Sequence, residues 1–129
     1  MTFDKLHDGI DCDCIKNAKD DFQNEYVRRL RKKELSEKDF LTHWERGIGK
    51  DEIECEVICS YKGISVNQIN ETSEQLIIEK YKTTFKINPK RGGYFLKFRI
   101  KENGGKIKHA PSKKDNTHYN FYKSDEFDI

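Results

Sequence analysis

The chain has 129 residues, of which 37% are charged and 34% hydrophobic, and its formal net charge is +2. This length suits one domain, because each of two halves would bury too little surface to form its own core. No apolar run approaches the roughly 20 residues that cross a bilayer, and the first residues lack the apolar core of an export signal. We therefore expect one domain over residues 1–129, located in the cytoplasm and not associated with membranes.

The first half of the chain carries the periodicity of helices. Apolar residues at steps of three and four predict a first helix over about 16–34. Ser36 and Asp39 have the spacing of a capping box, and the apolar residues behind them predict a second helix. This helix is expected to end near Gly47 and Gly49, because glycine accepts the left-handed geometry of a helix stop.

The second half changes to the two-residue period of strands. Alternation predicts strands over 53–61 and 94–100, while 73–82 fits a third helix or, as its rival, a strand. A type I′ turn at Asn103–Gly104 predicts a β-hairpin that begins with the 94–100 strand. With a last strand over 118–122, the predicted fold class is α+β, with two N-terminal helices packed on a mainly antiparallel sheet formed by the C-terminal half.

Positive charge is concentrated between Lys80 and Lys114, where the chain has twelve Lys or Arg residues and one acidic residue. With the turn at Asn103–Gly104, the predicted hairpin has one apolar and one basic face. Like charges opposite each other on neighbouring strands are unfavourable, so an anionic partner would relieve them, and the phosphates of RNA or DNA fit this role. The residues assigned to nucleic acid binding are Lys97, Arg99, Lys101, Lys106, Lys108, Lys113 and Lys114.

Two other interpretations of these lysines stay open. The lysines can form a solvated sheet face whose charge discourages edge-to-edge association. They can also be covered by the acidic residues of the N-terminal part, within one chain or between two. In that case the charged faces serve protein interaction, inhibition or self-association.

The cysteines and one histidine allow a structural zinc site. Without an export signal, the four cysteines are expected to be thiols or metal ligands rather than disulfides. Cys55 and Cys59 would stand about 13 Å apart on the predicted strand, so only one of them can join a single ion. The candidate zinc ligands are His7, Cys12, Cys14 and Cys55.

Two histidines give an enzymatic alternative. His109 and His118 flank a polar, lysine-containing loop, an arrangement in which a general base and a general acid can cleave RNA. However, the predicted register places His109 on the apolar face, where packed histidines are common. Binding is therefore favoured over catalysis, and no Gly-rich phosphate loop or nucleophile elbow is present in the sequence. The leading prediction is a small accessory protein that binds nucleic acid through a basic hairpin, with a histidine-dependent ribonuclease as the alternative.

Overall fold

The computed structural model describes residues 1–30, 32–69, 75, 94–113 and 115–129. Its helical elements are α1 (Asp4–His7), a 3-10 turn (Glu37–Phe40) and α2 (Cys55–Lys62). Its strands are β1 (Glu25–Leu30), β2 (Ile64–Ile69), β3 (Tyr94–Phe98), β4 (Gly105–His109) and β5 (His118–Lys123). The five strands form one sheet in the order β3-β1-β2-β5-β4, and every neighbouring pair is antiparallel.

The predicted pair of N-terminal helices is wrong, and with it the α+β arrangement in which they cover a C-terminal sheet. In the described part of the chain, α2 alone among the helices exceeds seven residues, and β1 lies inside the predicted first helix. Tyr26 and Leu30 are four residues apart, so they share one face of a strand as well as one face of a helix. The aromatic and β-branched side chains of Tyr26 and Val27 favour the strand.

The predicted capping box exists, but it starts only one turn of helix. The Ser36 backbone N–H donates to the Asp39 carboxylate over 2.9 Å, and the 3-10 turn then ends at Phe40. Leu41 is extended, with ψ of 133°. The helical turn thus ends at Phe40, and the Phe40 ring lies in the hydrophobic core.

The predicted strand over 53–61 is largely the helix α2. Cysteines at positions 55 and 59 fit both an alternating strand and one face of a helix, because four is an even number and also close to one helical turn. Ile58 and Lys62, again four apart, are both buried by this helix. The predicted third helix at 73–82 falls, apart from Gln75, outside the described residues.

The predicted hairpin between 94–100 and the following strand does not form. Strand β3 pairs with β1 and strand β4 pairs with β5, so the two strands lie at opposite edges of the sheet. The Gly104 N–H donates to the Lys101 carbonyl over 2.9 Å, and Asn103 has a φ of 64°, so the turn is centred one residue earlier than predicted. This turn belongs to the connection between β3 and β4. The connection crosses the sheet and contains the buried Ile100.

The side of the sheet that bears Tyr26, Val66 and Phe121, here called the aromatic face, holds the main core. The 3-10 turn and the C-terminal residues cover it. The core residues are Tyr26, Phe40, Ile64, Val66, Ile100, Ile107 and Phe121, with Leu96, Phe98, Tyr119 and Phe127 packed against them.

The opposite side of the sheet, here called the polar face, is covered at one corner by the N-terminal segment. Phe3, Leu6 and Cys14 pack on Tyr122 of β5, whose hydroxyl donates to the Cys59 carbonyl over 3.1 Å. The Asp125 carboxylate accepts hydrogen bonds from the backbone N–H groups of the first turn of α1. The N-terminal segment is therefore fixed to both α2 and the C-terminal residues.

Candidate anion-binding surface

Three polar side chains form a row across strands β4, β5 and β2 on the polar face. Lys108 is the register partner of Asn120, and Asn120 is in turn the partner of Ser65. Partners in an antiparallel sheet point to the same side, with their Cβ atoms about 5 Å apart. Ser65 is exposed, and Asn120 and Lys108 are half-buried. This polar row thus presents an ammonium group, an amide and a hydroxyl side by side.

His118 adds an imidazole to the polar row. Its Nδ1 lies 2.9 Å from the Ala110 carbonyl, which can only accept a hydrogen bond, so Nδ1 carries a proton. Its Nε2 lies 3.1 Å from the Ser65 hydroxyl. In the neutral imidazole, Nε2 accepts from this hydroxyl, and in the protonated imidazole it donates to Ser65 Oγ.

His109 does not join His118, because the sheet separates them. His109 is the register partner of Tyr119, and its ring stacks on that of Tyr119 with 4.6 Å between centroids. Adjacent residues of a strand point to opposite faces, so His118 lies on the other side of β5. The His109 Nε2 is 2.7 Å from the Asn116 carbonyl. The two histidines of the ribonuclease alternative are thus not brought into one site.

The predicted basic residues divide between the two edges of the sheet. Lys97 lies on β3, and Arg99 and Lys101 follow it in the crossing connection, while Lys106 and Lys108 lie on β4. Four strand spacings separate these edges, about 19 Å in a flat sheet. Because β3 and β4 are not paired, the single basic hairpin face is replaced by two separate groups. Only the β4 group adjoins the polar row.

The other predicted basic residues differ in their surroundings, and one of them, Lys114, falls outside the described residues. Arg99 forms an ion pair with Glu25, with 3.6 Å between nitrogen and oxygen. Lys113 is exposed in the connection between β4 and β5. The Lys106 side chain is half-buried beside its register partner Tyr122, two residues from Lys108 on the same face.

The zinc site is not supported, because all three of its candidate cysteine ligands form disulfides. Disulfides join Cys12 to Cys55 and Cys14 to Cys59, with Cα separations of 5.5 and 5.2 Å. Within the described ranges no three His, Cys, Asp or Glu residues are grouped to hold a metal ion. His7 instead accepts a hydrogen bond at Nε2 from the Cys14 backbone N–H, over 3.3 Å.

The cysteine spacing explains why both disulfides form. Two residues along an extended segment advance about 6.6 Å, and four residues along a helix advance about 6 Å. The spacing of Cys12 and Cys14 therefore matches that of Cys55 and Cys59 once the latter two lie on a helix. The expectation of thiols or metal ligands, which was based on the lack of an export signal, is wrong, because all four cysteines form disulfides.

Lys62, at the end of α2, is a buried cation that the sequence did not reveal. It is 4% exposed, and its Nζ donates to the Leu6 carbonyl and, over 3.0 Å, to the Asp8 carbonyl. The Trp44 ring lies on the same ammonium, with 4.8 Å from Nζ to the ring centroid. Burial, followed by the neighbouring Lys50, lowers the pKa of Lys62. With these neighbours, Lys62 ties α2 to the N-terminal segment and is not a ligand group of the polar row.

Ser65, Asn120 and Lys62 are the site and support residues that sequence reasoning missed. For Ser65 a signal exists, because Ile64 and Val66 alternate with it and indicate that its side chain points away from the core. Asn120 has no such signal. Its place beside Lys108 depends on the pairing of β4 with β5, which follows from the topology of the whole sheet.

Comparisons with known proteins give no family for this chain. No family model, no curated protein and no solved structure matches it. None of the helices in the described ranges is both long and apolar enough to span a membrane.

Proposed function

We propose that this protein binds an anionic partner, nucleic acid, through the β4 end of its polar face. The observation that carries the proposal is the polar row of Lys108, Asn120 and Ser65, with His118 bonded to Ser65. Lysine, serine and asparagine side chains are among the groups that contact phosphate oxygens in protein complexes with nucleic acids. A phosphate on this row would meet the Lys108 ammonium and the Asn120 amide, both of which can donate to it.

Lys106 extends the same surface along β4. Lys106 and Lys108 are two residues apart, so their Cα atoms are separated by about 7 Å on one side of the strand. Two cations at this separation can contact successive anionic groups of one polymer, whereas a small ligand would engage only one of them. This favours a phosphate backbone over a single free phosphate.

The two disulfides are relevant to the compartment in which the protein would bind its partner. Disulfides persist in oxidising compartments and are rare in the reducing cytosol. They therefore support a site of action outside the cytosol, in contrast to the cytoplasmic location expected from the sequence. The proposed partner is accordingly nucleic acid accessible from such a compartment.

The test is binding of fluorescently labelled single-stranded RNA and DNA, measured by anisotropy over a series of salt concentrations. Replacing Lys106 and Lys108 with Gln should weaken binding about tenfold and reduce the salt dependence, log K against log salt, by about 1.4, because each lost phosphate contact contributes about 0.7. Asn120→Ala should weaken binding without changing that slope.

The matched control replaces Lys32 and Lys33 with Gln. Both control lysines are exposed and lie outside the strands, just beyond the end of β1, and the change in net charge is the same. If the wild-type protein binds neither nucleic acid at low salt, the proposal fails. It also fails if the two double variants lose the same affinity, because binding would then follow net charge alone.

A further inference from the structure

The two disulfides join the same pair of segments but differ in their exposure. In Cys14–Cys59, here called the inner disulfide, Cys14 is 1% exposed and Cys59 is half-buried. In Cys12–Cys55, here called the outer disulfide, Cys12 is half-buried, whereas Cys55 is exposed at the first residue of α2. A thiolate must reach a sulfur atom to exchange with a disulfide, so access favours the outer disulfide and its Cys55 sulfur.

The packing around the inner disulfide restricts the approach of thiols. Cys14 belongs to the buried cluster of Phe3, Leu6 and Tyr122, and Cys59 packs against that cluster. A thiol reaches the Cys14 sulfur only when the N-terminal segment leaves the sheet. Exchange at the inner disulfide therefore depends on local unfolding, which the exposed end of the outer disulfide does not require.

Opening the outer disulfide leaves the N-terminal segment attached to α2. The inner disulfide still joins the two segments only two residues from Cys12. At the other end of α2, the Lys62 ammonium donates to the Leu6 and Asp8 carbonyls. These contacts keep the segment in place, so the outer disulfide can open and close in the folded protein.

The outer disulfide lies in an acidic part of the chain. The residues on either side of its two cysteines are exposed carboxylates: Asp11, Asp13, Glu54 and Glu56. No Lys or Arg lies within three residues of either cysteine in the sequence. The His7 imidazole, 3.8 Å from the Asp13 carboxylate, accepts a hydrogen bond at Nε2 and is neutral in that state. Carboxylates repel an anionic thiol and attract a thiol that carries an ammonium group.

We propose that the outer disulfide is a site of modification by small thiols, with cationic thiols preferred over anionic ones. The thiolate of the small molecule attacks the Cys55 sulfur, a new disulfide forms between them, and the Cys12–Cys55 bond breaks. The electron pair of that bond goes to the Cys12 sulfur, which leaves as a thiolate and takes a proton from water. Exchange preserves the number of disulfides, so the thiol is the only co-reactant. None of these residues belongs to the polar row, so the reaction does not depend on nucleic acid binding.

The test treats the folded protein with a mixture of cysteamine and its disulfide, cystamine, and alkylates free thiols at successive times. Peptide masses then locate the cysteamine adduct and the alkylated cysteines. The adduct should form on Cys55, with a free thiol on Cys12, at least about tenfold faster than any change at Cys14 or Cys59. In urea sufficient to unfold the protein, the two disulfides should react at similar rates, because the difference in exposure is then lost.

The charge preference is tested by comparing the rates of exchange with cysteamine and with 3-mercaptopropionate at low salt. Replacing Glu54 and Glu56 with Gln should lower the ratio of these rates about threefold, and high salt should reduce the effect. Glu54 makes no side-chain capping hydrogen bond to α2, so its replacement removes no such bond. The matched control replaces the exposed Glu34 and Glu37 with Gln and should leave the ratio unchanged.

Three results overturn the proposed site: an inner disulfide that opens as fast as the outer one in the folded protein, no exchange until the protein unfolds, or an adduct on Cys12 instead of Cys55. The charge preference fails if the Glu54 and Glu56 replacement leaves the rate ratio unchanged. It also fails if both double variants lower the ratio equally, because the ratio would then follow net charge alone.

Discussion

The two faces of the sheet are covered in different ways. On the aromatic face, seven buried residues form one cluster, and the covering 3-10 turn contributes only Phe40 to it. On the polar face, the N-terminal segment forms a smaller cluster with Tyr122 and is held by two disulfides and the Lys62 ammonium. Where packing is extensive, few other contacts are needed. Where the packed area is small, the disulfides and the hydrogen bonds of Lys62 hold the N-terminal segment against the sheet.

The largest effect should come from the aromatic face. Phe121→Ala removes a ring that is 1% exposed at the centre of the main cluster, and it should lower the free energy of unfolding by about 3–5 kcal/mol. Urea denaturation measures this change. Phe22→Ala, at a ring that is 39% exposed, should change stability by no more than about 0.5 kcal/mol. Equal losses in the two variants would contradict the central role of the aromatic cluster.

The next effect tests the disulfides of the polar face. Replacing all four cysteines with Ser should cost about 4 kcal/mol, the entropy of releasing a loop of about 45 residues. Replacing only Cys12 and Cys55 should cost much less, since Cys14–Cys59 still closes nearly the same loop. Both losses of stability are measured by denaturation of the wild type and the two variants. A thiol assay first confirms that the wild type has no free thiols. If the single and complete removals cost the same, closing the shared loop is not what the disulfides contribute.

The smallest effect concerns Glu45, which links the turn after Phe40 to Lys123 at the end of β5. Partial burial raises the pKa of Glu45, but hydrogen bonds from Lys123 and the Thr42 backbone outweigh burial and bring the pKa below its usual value of 4.5. A carboxyl whose pKa is lower in the folded than in the unfolded state stabilises the fold above the unfolded pKa. That contribution is lost as the pH falls through the folded pKa.

Glu45→Gln should therefore lower stability by less than about 1 kcal/mol at neutral pH, as expected for a partly exposed pair. The difference from wild type should shrink as the pH falls below 4.5. Thermal denaturation over pH 7 to 3 measures this, with the exposed Glu34→Gln as control. A difference that persists unchanged into acid would mean that the ion pair is not its source.

The strands of the C-terminal half were easier to predict than their pairing. Strands β3 and β5 fall within stretches that were predicted as strands, and β5 begins at the predicted residue His118. Alternation is a local property, whereas pairing depends on the whole sheet. A turn signal at Asn103–Gly104 is local too, and here the turn lies in a connection between the two edge strands.

The N-terminal half was predicted poorly because its spacings fit two periods. Tyr26 and Leu30 share a face in either a helix or a strand, and so do Cys55 and Cys59. The disulfide partners Cys12 and Cys14 resolve the second ambiguity, but only once contacts between distant parts of the chain are known. The polar row was out of reach for the same reason, since Lys108 and Ser65 meet only through Asn120.

The bridge between Lys19 and Ile107 has a consequence for how molecules of this protein meet one another. The Lys19 backbone N–H and carbonyl both bond Ile107 over 2.8 Å, on the outer side of β4. An edge strand with unoccupied outer groups is a template for strands of other molecules. A strand from a second molecule must displace Lys19 before it can pair at Ile107. Lys19 lies five residues beyond Cys14, which is disulfide-bonded to Cys59. The disulfide therefore helps to hold Lys19 against the outer side of β4, and this opposes aggregation through pairing at that strand.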